Sequence, residues 1–434
     1  MLASPFPVER GPVKLGLPQR GRLAVLFVLL GAAIAASLWH LHLLNQTMPS
    51  THSDLLVRWV GTRDAFRGID PYSAQASRDI QAAYYGKPLT AADKVDPQAF
   101  LYPAPIVVLL APLAPLSWGT VRLLFLLIMP LLIGTGVLLS MKTAGIQVSR
   151  GNQALIVLLS LASWPMMWGL RQQQPTLVVL ALVLIACYLL RIGRGIPAGA
   201  LLALATIKPQ MVAPLILWLL LWTVLRRSWG FVSGFVATLS VLLLATERIL
   251  PGWMGHWRAS LHGYGQFTHT ALPLELMLSH WPGVAATGLI AAGSGIVLWS
   301  LRRCDADSPE FGWAIALALA TTVTAAPMKL SMVYNQVFLI PALLILVFAS
   351  SLGGHVEQIR RLALALLAWN FISVPVAVAG ETLFSRGGFW DALPFLNLPL
   401  VVLPTIALAM HCWVGRDAWT EQPTLAKPEA LASI

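Results

Sequence analysis

The chain has 434 residues, 57% of them hydrophobic and only 11% charged, with a mean hydropathy of +0.73; soluble domains carry about 25% charged residues, so a soluble globule is excluded and one continuous membrane domain is implied. Cys187, Cys304 and Cys412 are far apart, which argues against a disulfide framework or a zinc site. The net charge of +11 fits a positive-inside bias and contact with anionic membrane lipids, and does not call for nucleic acid.

Residues 1–21 read as a cytoplasmic segment carrying Arg10, Lys14 and Arg20, followed by a first span near 22–44 that is retained, because no small-x-small exit follows it. Residues 45–118 then form a long external loop. Ser53 or Asp54 starts a predicted helix through Phe66. Asp64 reads as a solvated helix residue, and Asp70-Pro71-Tyr72 as a turn capped by Asp70. Asp93 and Asp96 read as solvated loop carboxylates. Asp54 is followed by two leucines, so no adjacent carboxylate can share a divalent cation, and no metal is expected there. A lone carboxylate suits general-base work, the alternative being a helix cap. Arg58, Arg63 and Arg67 on the same segment are interfacial anchors or substrate contacts. Ile106–Leu116 is apolar but short and interrupted by Pro112 and Pro115, which predicts an external re-entrant or interfacial helix.

Short basic loops follow: Lys142/Arg150, Arg191/Arg194, Arg226/Arg227, Arg302/Arg303 and Arg360/Arg361. Placing them in the cytoplasm gives spans near 22–44, 119–141, 154–170, 175–190, 197–207, 211–225, 229–246, 283–300, 311–326, 332–350, 362–380 and 396–413. The result is about twelve crossings with both termini inside and a cytoplasmic tail at 415–434. Residues 197–207 amount to roughly 16 Å of helix at 1.5 Å per residue. The turn Lys208-Pro209-Gln210 is therefore expected inside the membrane profile, where an ammonium needs a cavity and an anion. Arg171, in Arg171-Gln172-Gln173-Gln174, and Lys329 lie at other helix–helix turns. Several cations converging on one cavity would suit a phosphate. A second external loop, 247–282, holds His256, His262 and His269 at spacings unlike a metal site. Its Trp253, Trp257, Tyr264 and Phe267 read as an interfacial aromatic belt.

Four segments form an ordered set: 53–72 (SDLLVRW…FRGIDPY), 100–118 (FLYPAP…APLAPLSW), 170–176 (LRQQQPT) and 205–210 (ATIKPQ). This order resembles glycosyltransferase family 87, a branch of the GT-C polytopic glycosyltransferases that includes polyprenyl-phosphate-mannose-dependent α-mannosyltransferases. The resemblance implies an all-α GT-C-type membrane fold in a single domain over 22–414, with about twelve transmembrane helices plus external juxtamembrane helices. It also implies an external active site in the plasma (inner) membrane. The donor would be a polyprenyl-phosphate sugar and the acceptor a lipid or glycan, with neither cofactor nor metal. By the family pattern Asp54 matches the catalytic aspartate. Lys208, Arg171 and Lys329 are then candidates for the donor phosphate. Arg58, Arg63, Tyr102, Gln174, Gln210, His262, Tyr334 and Asn335 are candidates for substrate contact. Tyr102-Pro103-Ala104-Pro105 departs from the family's Tyr-Pro-Pro, Arg171–Gln174 from its Gly-Gln-x-Asn, and Tyr334-Asn335-Gln336 from its Trp-x-His-type segment. The competing readings are a secondary transporter, which broken helices at 197–225 also suit, and an O-antigen ligase or polymerase.

Overall fold

The computed structural model describes residues 20–90, 92–265, 271–325, 333–348, 355–384 and 389–420. In these the chain is helical: α1 (Arg20–Thr47), α2 (Asp54–Phe66), α3 (Ala74–Tyr85), α4 (Pro105–Leu110), α5 (Trp118–Thr143), α6 (Arg150–Ala162), α7 (Trp164–Arg171), α8 (Pro175–Arg191), α9 (Gly195–Ala205), α10 (Ala213–Leu225), α11 (Trp229–Ile249), α12 (Trp253–Gly265), α13 (Glu275–Leu278), α14 (His280–Ser300), α15 (Pro309–Ala325), α16 (Ile340–Phe348), α17 (His355–Phe384) and α18 (Phe389–Thr420). Short 3-10 segments occupy Ala111–Leu113, Pro209–Met211 and Val333–Leu339.

Among the described residues six helices are long and apolar enough to cross a membrane: α1, α5, α11, α14, α17 and α18. The count rises to seven if α6 and α7, bent by 56° at Ser163, form one span. The bend has a local cause. Ser163 is extended, its hydroxyl donates to the Ser160 carbonyl at 2.8 Å, and Pro165 opens the next helix. The expected segments are found close to their predicted places, but α8, α9, α10 and the 333–348 segment are short. Among the described residues length and composition therefore support six or seven full crossings of the twelve expected. The shortfall arises because positive-inside parity counts segments between basic loops and is blind to whether each one reaches the far face.

The short helices form the core. α15 is buried along nearly its whole length, and α10 packs on it with Trp218 and Trp222 against Phe311. Their indole N–H groups donate to the Leu298 and Cys304 carbonyls at 2.8 and 2.9 Å. α9 lies against α11 at glycines. A Cβ on Gly199 would run into the Phe231 carbonyl, and one on Gly234 into the Ile196 carbonyl. Small residues of this kind let membrane helices approach backbone to backbone. Gly195 faces Gly230 and Phe231, while Gly199 faces Phe231 and Phe235, so α9 and α11 run in the same direction. α9 ends well short of α11, and the turn after it stops within the bundle.

A layer of short helices covers the end where α2 begins. The 96–101 segment is gripped by α12: Trp257 Nε1 donates to the Leu101 carbonyl at 2.9 Å, Ser260 Oγ to the Phe100 carbonyl at 3.4 Å, and Tyr264 Oη to both Asp96 oxygens at 2.9 and 2.7 Å. His256 Nδ1 lies 2.9 Å from Asp70 Oδ2. This corrects two expectations. Trp257 and Tyr264 are inward clasps, not belt residues, and Asp96 is engaged rather than solvated. The exposed apolar side chains of α12 are Met254 and Leu261. Phe267 and His269 lie outside the described residues.

Candidate active site

The site is built around the start of α2. Ser53 is the cap: its backbone is extended and its hydroxyl accepts from the Leu55 and Leu56 amides at 3.2 and 3.4 Å. Asp54 is the first residue of the helix, and its side chain has no capping duty. Its backbone N–H donates to the Gln172 carbonyl at 3.0 Å, and Ser53 Oγ donates to the same carbonyl at 3.3 Å. The turn after α7 is thus stitched to the start of α2. Arg171 completes the seam. Its Nη1 donates to the His52 carbonyl at 3.0 Å, and its Nη2 to the Met48 and Pro49 carbonyls at 3.0 and 3.3 Å. The structure gives the Arg171 guanidinium a structural task, where a phosphate contact was expected.

Arg58, one turn after Asp54, is buried. Its Nη1 lies 3.3 Å from Asp54 Oδ1 and donates to the Asp54 carbonyl at 2.6 Å. Its guanidinium sits 4.2 Å from the centre of the Tyr102 ring, a cation–π distance. Arg58 Nε is buried and makes no hydrogen bond. Burial pushes the Tyr102 phenol up to about 12 against the pull of Arg58, so it is neutral at physiological pH. The Tyr72 hydroxyl holds the segment by donating to the Tyr102 carbonyl at 2.7 Å. Gly61 leaves space for the Phe100 ring, which a Cβ there would strike.

Lys208 approaches from the turn after α9 and is buried. Nζ donates to Thr176 Oγ1 in a short hydrogen bond and to Asn335 Oδ1 at 3.0 Å, and Thr176 Oγ1 donates to Asn335 Oδ1 at 3.1 Å. The ammonium is 5.1 Å from the centre of the Tyr334 ring. An ammonium has three N–H donors; two are spent on neutral oxygens, and no described carboxylate pairs with it. The charges of Asp54 and Arg58 both act on Lys208, which joins the two halves of the site. It holds two cations against one carboxylate.

Of the expected residues, Asp54, Arg58, Tyr102, Lys208, Tyr334 and Asn335 come together. Gln174 is fully buried nearby in sequence with both amide atoms unpartnered. Arg63 stacks 4.7 Å above the Trp59 ring, away from Asp54's turn. Gln210 and His262 are exposed and make no hydrogen bond or ion pair with a described residue. Lys329 lies outside the described residues. Thr176 was not anticipated; its signal was its place directly after Pro175 at a helix start, where a hydroxyl is free to face across the bundle. Asp64, expected to be solvated, is buried, with Oδ2 unpartnered and Oδ1 3.7 Å from Arg67. No group of three or more metal-ligating side chains occurs among the described residues.

Buried Arg58 and Lys208 with Asp54 beside them, in a chain whose described residues include six helices long and apolar enough to cross a membrane, define an integral membrane protein with a buried charged site. The chain belongs to glycosyltransferase family 87, whose family model matches residues 100–328, just over half of the 434 residues. Thr176 and Lys208 lie within the matched stretch; Asp54 and Arg58 precede it. No curated protein and no solved structure matches the chain.

Proposed function

We propose that this membrane glycosyltransferase moves a sugar from a polyprenyl-phosphate donor to a lipid or glycan hydroxyl on the external face, with inversion and a GT-C-type architecture. One observation carries the reading: Lys208 is a buried ammonium with a spare donor and no carboxylate partner among the described residues, set beside an Asp54–Arg58 pair. Such a cation costs several kcal/mol to bury unpaired, and a lipid phosphate arriving from the bilayer would offset that cost.

In the proposed reaction Asp54 takes the proton of the acceptor hydroxyl. The acceptor oxygen bonds to the anomeric carbon from the face opposite the phosphate. The bond between that carbon and the phosphate oxygen breaks, and the lipid phosphate leaves with the electron pair. Lys208 stabilises the charge that grows on the departing phosphate. Tyr334 and Asn335 hold Lys208, while Arg171 keeps the 48–53 loop in register with Asp54. His52 has its basicity lowered by burial and by the Arg171 charge.

The test is to incubate purified protein in nanodiscs with a panel of polyprenyl-phosphate sugars and to follow donor turnover. At least one donor should turn over, without inhibition by chelators, and Asp54→Asn should lower the turnover about 10²–10⁴-fold. No turnover of any donor by a folded protein that binds polyprenyl phosphate would remove the enzymatic reading.

A further inference from the structure

The Asp54–Arg58 pair holds a charge problem that the proposed reaction must solve. When Asp54 accepts a proton its charge goes from −1 to 0, and the buried Arg58 loses its counter-ion. In the same event the lipid phosphate goes from a singly charged diester to a doubly charged monoester as the bond to the sugar breaks. One negative charge disappears on one side of Arg58 while another appears at the leaving group. A guanidinium can follow this transfer because it has donors on two edges. Arg58 uses Nη1 on Asp54, and its Nε–H, buried and unbonded, is the second edge.

We propose that Arg58 is a positioning residue shared between Asp54 and the donor phosphate: it holds Asp54 in an ion pair until the donor phosphate competes for the guanidinium and frees the carboxylate. The proposal rests on the donor and base assignments made above. It deepens them by making donor binding precede base release, so that the acceptor is activated only when a leaving group is in place.

The geometry supports a competition. The Asp54 side chain is 26% exposed and the Arg58 side chain 11%, so the carboxylate stands at the opening with the guanidinium behind it. Tyr102 covers one face of Arg58 at 4.2 Å, which limits the guanidinium to sliding in its own plane. The charged and titratable groups that act on this pair are Lys208 after α9, Tyr102, Tyr84 on α3, Tyr264 on α12 and Tyr334. The phenols are neutral at physiological pH. Lys208 is therefore the sole other charge among them, and it has the sign of Arg58. None of these groups is an anion, so the anion that relieves both cations comes from the donor phosphate.

The experiment is a double-mutant cycle read by binding, with sugar-free, short-chain polyprenyl phosphate as probe and the full chain in nanodiscs. Asp54→Asn removes the competitor, so affinity should rise about tenfold, the scale of a close charge-pair coupling. Arg58→Gln should weaken binding. In Asp54→Asn/Arg58→Gln the gain from the first change should vanish. If the gain persists with Gln at 58, Asp54 merely repels the phosphate and the sharing is overturned. If Asp54→Asn brings no gain, the competition does not exist. Asp54→Ala serves as a second probe, because Ser53 holds the cap in either variant. Base function is read separately, as donor turnover by Asp54→Asn. Normal turnover together with the affinity gain would remove the base and leave the charge sharing intact. Absent binding by every variant and the parent would remove the donor assignment itself.

Discussion

Ser53 and Asp54 divide two duties that a single residue could have combined, and the division makes each testable. Loss of the cap in Ser53→Ala should cost about 1 kcal/mol of stability and leave turnover largely intact; a large loss of turnover at normal stability would place Ser53 in the chemistry. Asp54→Asn keeps shape and hydrogen bonding but cannot take a proton, so turnover should fall about 10²–10⁴-fold; turnover near the parental rate in a variant that folds and binds donor would falsify the base. Lys208→Ala should weaken polyprenyl-phosphate binding, whereas Thr176→Val should weaken it less, since Asn335 still holds the ammonium; equal losses would make the hydroxyl the true anchor. Asp64 supplies a pH effect. Burial, then the Asp79 charge, raises its pKa, with Arg67 and Arg63 opposing. A carboxyl raised in the folded state binds a proton more readily there than when unfolded. Its contribution is favourable below the unfolded value of about 3.9 and is lost as pH rises through the folded value. Thermal unfolding in detergent should therefore show stability falling across that window, and Asp64→Asn should flatten the dependence. An unchanged slope would show that Asp64 is not the group responsible.

The elements that carry the site are held by unlike means. α9 is held by glycine, and Gly199→Val would drive a side chain into the Phe231 backbone. Because Lys208 hangs from the end of α9, the expected outcome is an inserted protein with impaired polyprenyl-phosphate binding; parental affinity would mean that α9 tolerates displacement without moving Lys208. The 48–53 loop is held by Arg171, whose rigid fork reaches three carbonyls. What could be read from the sequence follows this division. The α2 boundaries, the Asp70 turn, and the short α9 with its embedded lysine come from capping chemistry and segment length, both local. The clasps made by Arg171, Tyr264 and Trp257 were not legible because their partners lie 119 to 168 residues away, and residue type cannot tell a guanidinium that clasps carbonyls from one that awaits phosphate. Twelve crossings exceed the six or seven that length and composition support among the described residues, because the polarity of flanking loops says nothing about whether a buried segment is long enough to traverse.

At the scale of the whole molecule, the positive-inside argument predicts that residue 72 faces outward and residue 226 the cytoplasm. In a cysteine-free background, Tyr72→Cys should react with an impermeant thiol reagent in intact cells and Arg226→Cys should not; labelling at 226 would invert the orientation. Arg226 pairs with Asp305 at 2.6 Å between two turns. The same-direction contact of α9 with α11 has a consequence for biogenesis. α9 is too short to anchor itself in a bilayer, and the glycine surface that receives it belongs to a helix translated later. Asn335, which holds Lys208, comes later still, 127 residues downstream. During synthesis α9 must therefore wait at the translocon or the membrane surface until α11 has emerged. A ribosome stalled before residue 230 would leave a nascent chain that contains Asp54 and Lys208 but lacks Asn335 and the glycine face of α11, so the proposed site cannot assemble before most of the protein exists.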